Sequence, residues 1–239
     1  MTVAILDRRQ RRAPAATGGD PFAACLAAGE VIDHRSERVG AFVARALGSG
    51  CHDSRGAAKA LYYAVRDGIF YEIFGTDLGE GLCASGVVGA RRGFCLHKAI
   101  LYAAACRAVG IPSRILAAPV RNHVTSPSIR HLVGGDVFLH WYDEILLEGE
   151  WIKVAPIFNV MTCRLFGIAP LEFDGRRSAT EQPYVGESRM IYLSEPAVFT
   201  DPTRAELVDH VARYHPRMVT PARRVPAERE MAALAGALH

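Results

Sequence analysis

One short stretch of the chain carries residue types suited to nucleophilic chemistry: Arg92-Gly93-Phe94-Cys95-Leu96-His97-Lys98-Ala99. An apolar run follows, so the spacing predicts a helix over 95–109 with Cys95 in its first turn. The first amides of a helix have no partner inside it, and the helix dipole places partial positive charge there. Both effects favour thiolate, the reactive form of cysteine. The same amides can hold the oxyanion of a tetrahedral intermediate. Gly93 is read as the residue that permits the tight turn into the helix. The chemistry on offer is acyl transfer through a thioester. Taken alone, Cys95 also fits an ordinary buried helical cysteine, which is the reading for Cys106 and Cys163 in their apolar stretches. Cys25, Cys51 and Cys83 have no helix-start context.

A nucleophilic thiol needs a base. His140 lies in Phe138-Leu139-His140-Trp141-Tyr142, an alternating aromatic stretch that reads as a strand. A histidine fixed on a strand can be presented rigidly to a helix packed on that sheet. A satisfied core histidine fits the same pattern. His97 stands two positions after Cys95, about 200° around a helix, and so points away from the thiol. His123 and His131 fall in a predicted loop and are weaker rivals. Arg91 and Arg92 could attract a carboxylate or phosphate, or be solvated loop charge.

These residues require elements to position them. Residues 36–47 and 53–67 have helical spacing, with Ser36 and Asp53 as caps and Gly48 past the end of the first. The helix over 95–109 stops at Gly110-Ile111-Pro112. The period then changes. Residues 113–120 and 136–147 read as strands, 148–150 as a turn, and 151–154 as the return strand of a hairpin. Residues 189–193 suggest a short strand, and 203–214 and 226–237 two C-terminal helices. Helices followed by strands imply an α+β domain. The expected division is a mobile tail over 1–20, a main domain over 21–200, and C-terminal helices over 201–239 packed on or extending it.

Composition narrows the classes. The chain has 239 residues, half of them hydrophobic, enough for one large core. A net charge of +3, spread along the chain, does not suggest nucleic acid as a partner. No apolar run is long enough to span a membrane, and the arginine-rich start lacks the apolar stretch of a secretion signal. The expectation is a cytoplasmic protein whose six cysteines are reduced. No C-x-x-C pair supports a zinc site, and no calcium-loop pattern occurs, so no metal or cofactor is expected.

Three segments, in order, resemble the transglutaminase-like superfamily, a papain-related group of cysteine enzymes, in its bacterial form. They are residues 53–71 (DSRGAAKALYYAVRDGIFY), 84–114 (ASGVVGARRGFCLHKAILYAAACRAVGIPSR) and 140–156 (HWYDEILLEGEWIKVAP). The resemblance covers roughly residues 35–160. It implies a papain-like α+β core, with the nucleophile helix packed on an antiparallel sheet, Cys95 as nucleophile and His140 as base. The chain departs from the family at one point. Ala155 stands where the family's third catalytic residue, an Asp, would lie on the return strand. Three outcomes follow: a working Cys95–His140 pair, another side chain orienting His140, or a weak or inactive relative. Asn159 is the nearest polar candidate for the orienting role, and it equally fits a cap for a helix over 160–166. The function implied is cysteine-dependent acyl transfer on a peptide, amide or thioester substrate, free or carrier-bound. Hydrolysis and amide formation both remain open, as does the oligomeric state. The alternative is a non-catalytic binding or scaffolding relative.

Overall fold

The computed structural model describes residues 22–50, 53–121, 127–182 and 190–219. The tail predicted over 1–20 and the helix predicted over 226–237 lie outside these residues, as do Cys51 and His123.

The helical half comes first. Helix α1 (Ala23–Leu26) is a single turn. In α2 (Glu37–Leu47) the Ser36 hydroxyl accepts from the Val39 amide, and Gly48 closes the helix at φ 61°. In α3 (Ser54–Gly68) the Asp53 carboxylate accepts from the Gly56 amide at 2.7 Å. Both N-caps sit where their side chains satisfy amides that the helix leaves open. Strand β1 (Phe70–Tyr71) pairs in parallel with β2 (Arg92–Gly93), and α4 (Ala84–Ala90) lies between them. Two glycines within seven residues hid α4 from the sequence reading.

Helix α5 (Cys95–Ala108) is the core of the fold, and every residue but Ala108 is buried. Three of the buried side chains are polar, and each finds a partner. His97 Nε2 meets the Asp77 carbonyl at 3.0 Å. Lys98 Nζ donates to the carbonyls of Arg66 and Ile69, each at 2.8 Å. Arg107 donates to the carbonyls of Ala27, Ser113 and Thr200. These bonds tie α5 to the end of α3 and to the strands, because a buried donor left unpaired would cost free energy.

The sheet follows. Strands β3 (Ser113–Arg121) and β4 (Val137–Leu147) are antiparallel, with Ala118 opposite His140. Between them lies α6 (Pro127–Val133). Strand β5 (Glu150–Val154) returns on β4 through a two-residue turn, with Glu148 at φ 50° and Gly149 at φ 85°, the left-handed pair that a tight hairpin needs. Helix α7 (Val160–Phe166) comes next. Strands β6 (Ile191–Tyr192) and β7 (Ala197–Phe199) both add antiparallel to β3, giving the order β5-β4-β3-β6 with β7 beside it on β3. Helix α8 (Arg204–Tyr214) starts with a capping box between Thr203 and Glu206 and buries Leu207 and Val211 in the main core. A last turn, α9 (Pro216–Val219), closes the described chain. The fold is therefore α+β, helices against an antiparallel sheet, as the change of period implied.

Candidate active site

Cys95 is the first residue of α5, and Phe94 takes the cap position without a side-chain cap bond. The amides of Cys95 and Leu96 point at the thiol, and the Trp141 amide of β4 joins them. Gly93 acts here through space rather than through an unusual turn. A Cβ on it would lie 2.4 Å from the Cβ of His97, so only glycine lets β2 run this close to the first turn of α5.

The sheet meets Cys95 at an edge. Strand β5 stops at Val154, opposite Asp143, which leaves residues 139–141 of β4 without a strand partner on that side among the described residues. Cys95 Sγ donates to the Leu139 carbonyl in that gap at 3.9 Å. The Leu139 amide uses the same edge, donating to His215 Nε2 at 2.8 Å.

His140 is buried on β4 beside Ala118 of β3. Its ring stacks on Tyr142 at 5.6 Å and meets Tyr192 edge-on at 6.2 Å. Strand alternation places these rings on one face of the sheet and Leu139, Trp141 and Asp143 on the other. Asp143 feels the charges and dipoles of Tyr102, Cys106 and Arg107 on α5, so its face is the one that α5 covers. His140 Nε2 is buried with no hydrogen-bond partner among the described residues.

Cys95 and His140 line one cavity, enclosing about 50 Å³. Its walls are mostly apolar and include Tyr71, Phe94, Phe158, Val133, Val211 and Met218. Burial dominates both titrations. It pushes the Cys95 thiol up to about 11 despite the three amides. It holds His140 down to about 4. Thiol and imidazole are thus both neutral at rest, and charge separation has to come with substrate.

The other sequence candidates fall elsewhere. His97 points away from Cys95, with its ring against Phe94. His131 is exposed and lies beside Arg217. Arg91 and Arg92 are exposed, in the end of α4 and in β2. Asn159 holds the cap position of α7, and its side-chain oxygen accepts from the Thr162 hydroxyl. Among the described residues no hydrogen bond joins His140 to Asn159. Asn159 follows the cavity residues Ile157 and Phe158, but the start of α7 turns its side chain onto its own helix. Ala155 is buried and its carbonyl accepts from Tyr62. His215, which the sequence reading passed over, lines the cavity. Its one local signal is its place at the end of a predicted helix, before Pro216, and nothing in that reveals contact with β4.

The five cysteines among the described residues are free thiols. No group of three His, Cys, Asp or Glu among those residues could hold a metal ion. No described helix is long and apolar enough to cross a membrane.

The profile of the Transglutaminase-like superfamily matches residues 41–156, which run from α2 through α5 to the end of the β4–β5 hairpin. These residues form a transglutaminase-like domain. No curated protein matches it. A solved structure of a candidate cysteine protease from Cytophaga hutchinsonii is similar at 16% identity and a TM-score of 0.44. The match covers 78% of this chain and 54% of that one, so the transglutaminase-like chain spans about half the length of that protein.

Proposed function

We propose that this transglutaminase-like protein is a cysteine-dependent acyl-transfer enzyme, with Cys95 as nucleophile and His140 as base. The observation that carries the reading is that Cys95, at the amide-rich start of α5, and the buried His140, whose Nε2 has no hydrogen-bond partner among the described residues, line one cavity. The transglutaminase-like domain supports cysteine-based catalysis at the level of the family.

In this reading the Cys95 sulfur attacks an amide or thioester carbonyl while its proton passes to His140 Nε2. The tetrahedral oxyanion faces the amides at the start of α5, and the proton leaves on the departing amine or thiol. The thioester acyl-enzyme is then opened by water, as in a peptidase or amidase, or by an amine, as in amide formation. With Ala155 in place of an acid and Asn159 bonded to Thr162, the reaction runs on the Cys95–His140 pair.

A non-catalytic relative is the second reading. It is favoured by Ala155 and by the resting contact of Cys95 Sγ with a carbonyl instead of a base. Acylation separates the two. With an activated thioester as acyl donor at neutral pH, the acyl-transfer reading expects Cys95 to be modified ahead of the other thiols, and His140→Ala to remove that advantage. Modification of Cys95 no faster than Cys83, the half-exposed thiol, would favour the non-catalytic reading.

A further inference from the structure

We propose that His215 is a positioning residue for the Cys95 reaction, holding the Leu139 peptide of β4 in the place where β5 has ended. The inference rests on the reading of Cys95 as nucleophile.

His215 is buried, and both ring nitrogens are engaged. Nε2 accepts from the Leu139 amide at 2.8 Å, and Nδ1 meets the Val133 carbonyl at 2.9 Å. An imidazole that accepts at one nitrogen and donates at the other is neutral, so this pair of contacts fixes both charge and tautomer. The Leu139 peptide is the shared element. Its amide is held by His215, its carbonyl receives the Cys95 thiol, and the next residue is His140. On a strand edge without a neighbour, these two contacts do the work of a ladder. They locate nucleophile and base relative to each other through one residue of β4. His215 also ends α8, so the C-terminal helices reach the site through it.

A protonated His215 cannot accept from Leu139, so the clamp holds only while the ring is neutral. Burial lowers the proton affinity of His215 below that of a free imidazole. The titratable and charged groups around it are Cys95 of α5 and His140 of β4 across the cavity, His131 of α6, Arg213 and Tyr214 of α8, and Arg217 of α9. Arg217 is directed at His131 and the His131 carbonyl. None of them supplies a carboxylate that would favour the charged ring.

The test measures acylation of Cys95 by an activated thioester, resolved by peptide mass, in the full chain from about pH 5 to pH 8. His215→Ala removes the clamp and is expected to slow modification about tenfold, the scale of a small misplacement of reacting groups. His215→Gln keeps one acceptor and one donor, never ionises, and is expected to stay within about threefold of the parent at pH 8. The decisive readout is the ratio of parent to Gln-variant rates. It should fall as pH drops through the His215 titration below 6.5, which packing alone would not cause. If Cys95 of the parent reacts no faster than Cys83, the catalytic reading and this one fall together. If Cys95 is the fast thiol but the ratio is flat with pH, or the Ala variant reacts as fast as the parent or faster, the role of His215 alone is overturned. Should the Ala variant not fold, the ratio decides by itself.

Discussion

Lys98 gives the sharpest test of how α5 is held. Its ammonium position is fully buried, three residues after Cys95, and Nζ donates to the carbonyls of Arg66 and Ile69 at the end of α3. A neutral amine has two N–H groups, enough for these two acceptors, so the site does not need the third proton. Burial accordingly lowers the Lys98 pKa from 10.5 to about 7, with Asp67 opposing the shift. In the unfolded chain the lysine keeps its usual pKa, so between about pH 7 and 10.5 the unfolded state binds a proton that the folded state does not. Stability must then rise with pH across this window, and be lost as pH falls toward 7. From pH 7 to 8.5 the gain is about 1.5 pH units at 1.4 kcal/mol each, or about 2 kcal/mol. This interval lies above the histidine titrations and reaches only the foot of the thiol titrations, whose opposing contribution is roughly a few tenths of a kcal/mol each, so Lys98 is its largest single contributor. Urea unfolding of the parent and of Lys98→Met at the two pH values measures the effect. The Met variant leaves two carbonyls unpaired and is expected to be less stable at pH 8.5 by about 1–3 kcal/mol. The decisive quantity is the pH slope, about 2 kcal/mol in the parent and near zero in Lys98→Met. Equal slopes in the two proteins would mean that Lys98 is charged inside the fold, and the reasoning would be wrong.

Three further outcomes follow from the same packing. Gly93→Ala sets a Cβ 2.4 Å from that of His97; unfolding should show a loss of about 1–3 kcal/mol, and Cys95 acylation should slow as the start of α5 shifts. His97 and His140 are each held down to about 4, so the stability they leave intact above pH 6.5 should be lost between 6.5 and 4, by up to about 3 kcal/mol each. Denaturation midpoints at pH 7 and pH 5 check this, and His97→Phe should flatten part of the slope. Ala155→Asp buries a carboxylate beside the Tyr62 hydroxyl, which already donates to backbone carbonyls; a melting curve should show a loss of about 3 kcal/mol, and no loss would mean that the new side chain escapes to solvent or finds a donor or cation.

Much of the scaffold was legible because local signals set it. Ser36, Asp53 and Gly48 mark the ends of α2 and α3, and the change of period after Pro112 marks the start of the sheet. The start of α5 at Cys95 and the register of His140 on β4 follow from the same patterning. What sequence could not supply was long-range. Strand β5 ends one residue before Ala155, and that opens the edge on which Cys95 and His215 converge, 120 residues apart. The role expected of Asn159 depended on which way its side chain turned at the start of α7, and the nearby Thr162 hydroxyl captured it. Gly93 was marked as special, but for a turn; its use is close approach to His97, a contact that only the folded chain reveals.

The central claim is that Cys95 forms an acyl-enzyme. Incubating the protein with a panel of activated thioesters and measuring intact and peptide masses after acid quench tests it most directly. The account predicts an acyl adduct on Cys95 that hydroxylamine removes, that forms slowly in His140→Ala, and that is absent in Cys95→Ala while the latter stays folded. An adduct on Cys25, Cys83, Cys106 or Cys163 instead, or one that forms on Cys95 equally fast without His140, would contradict it.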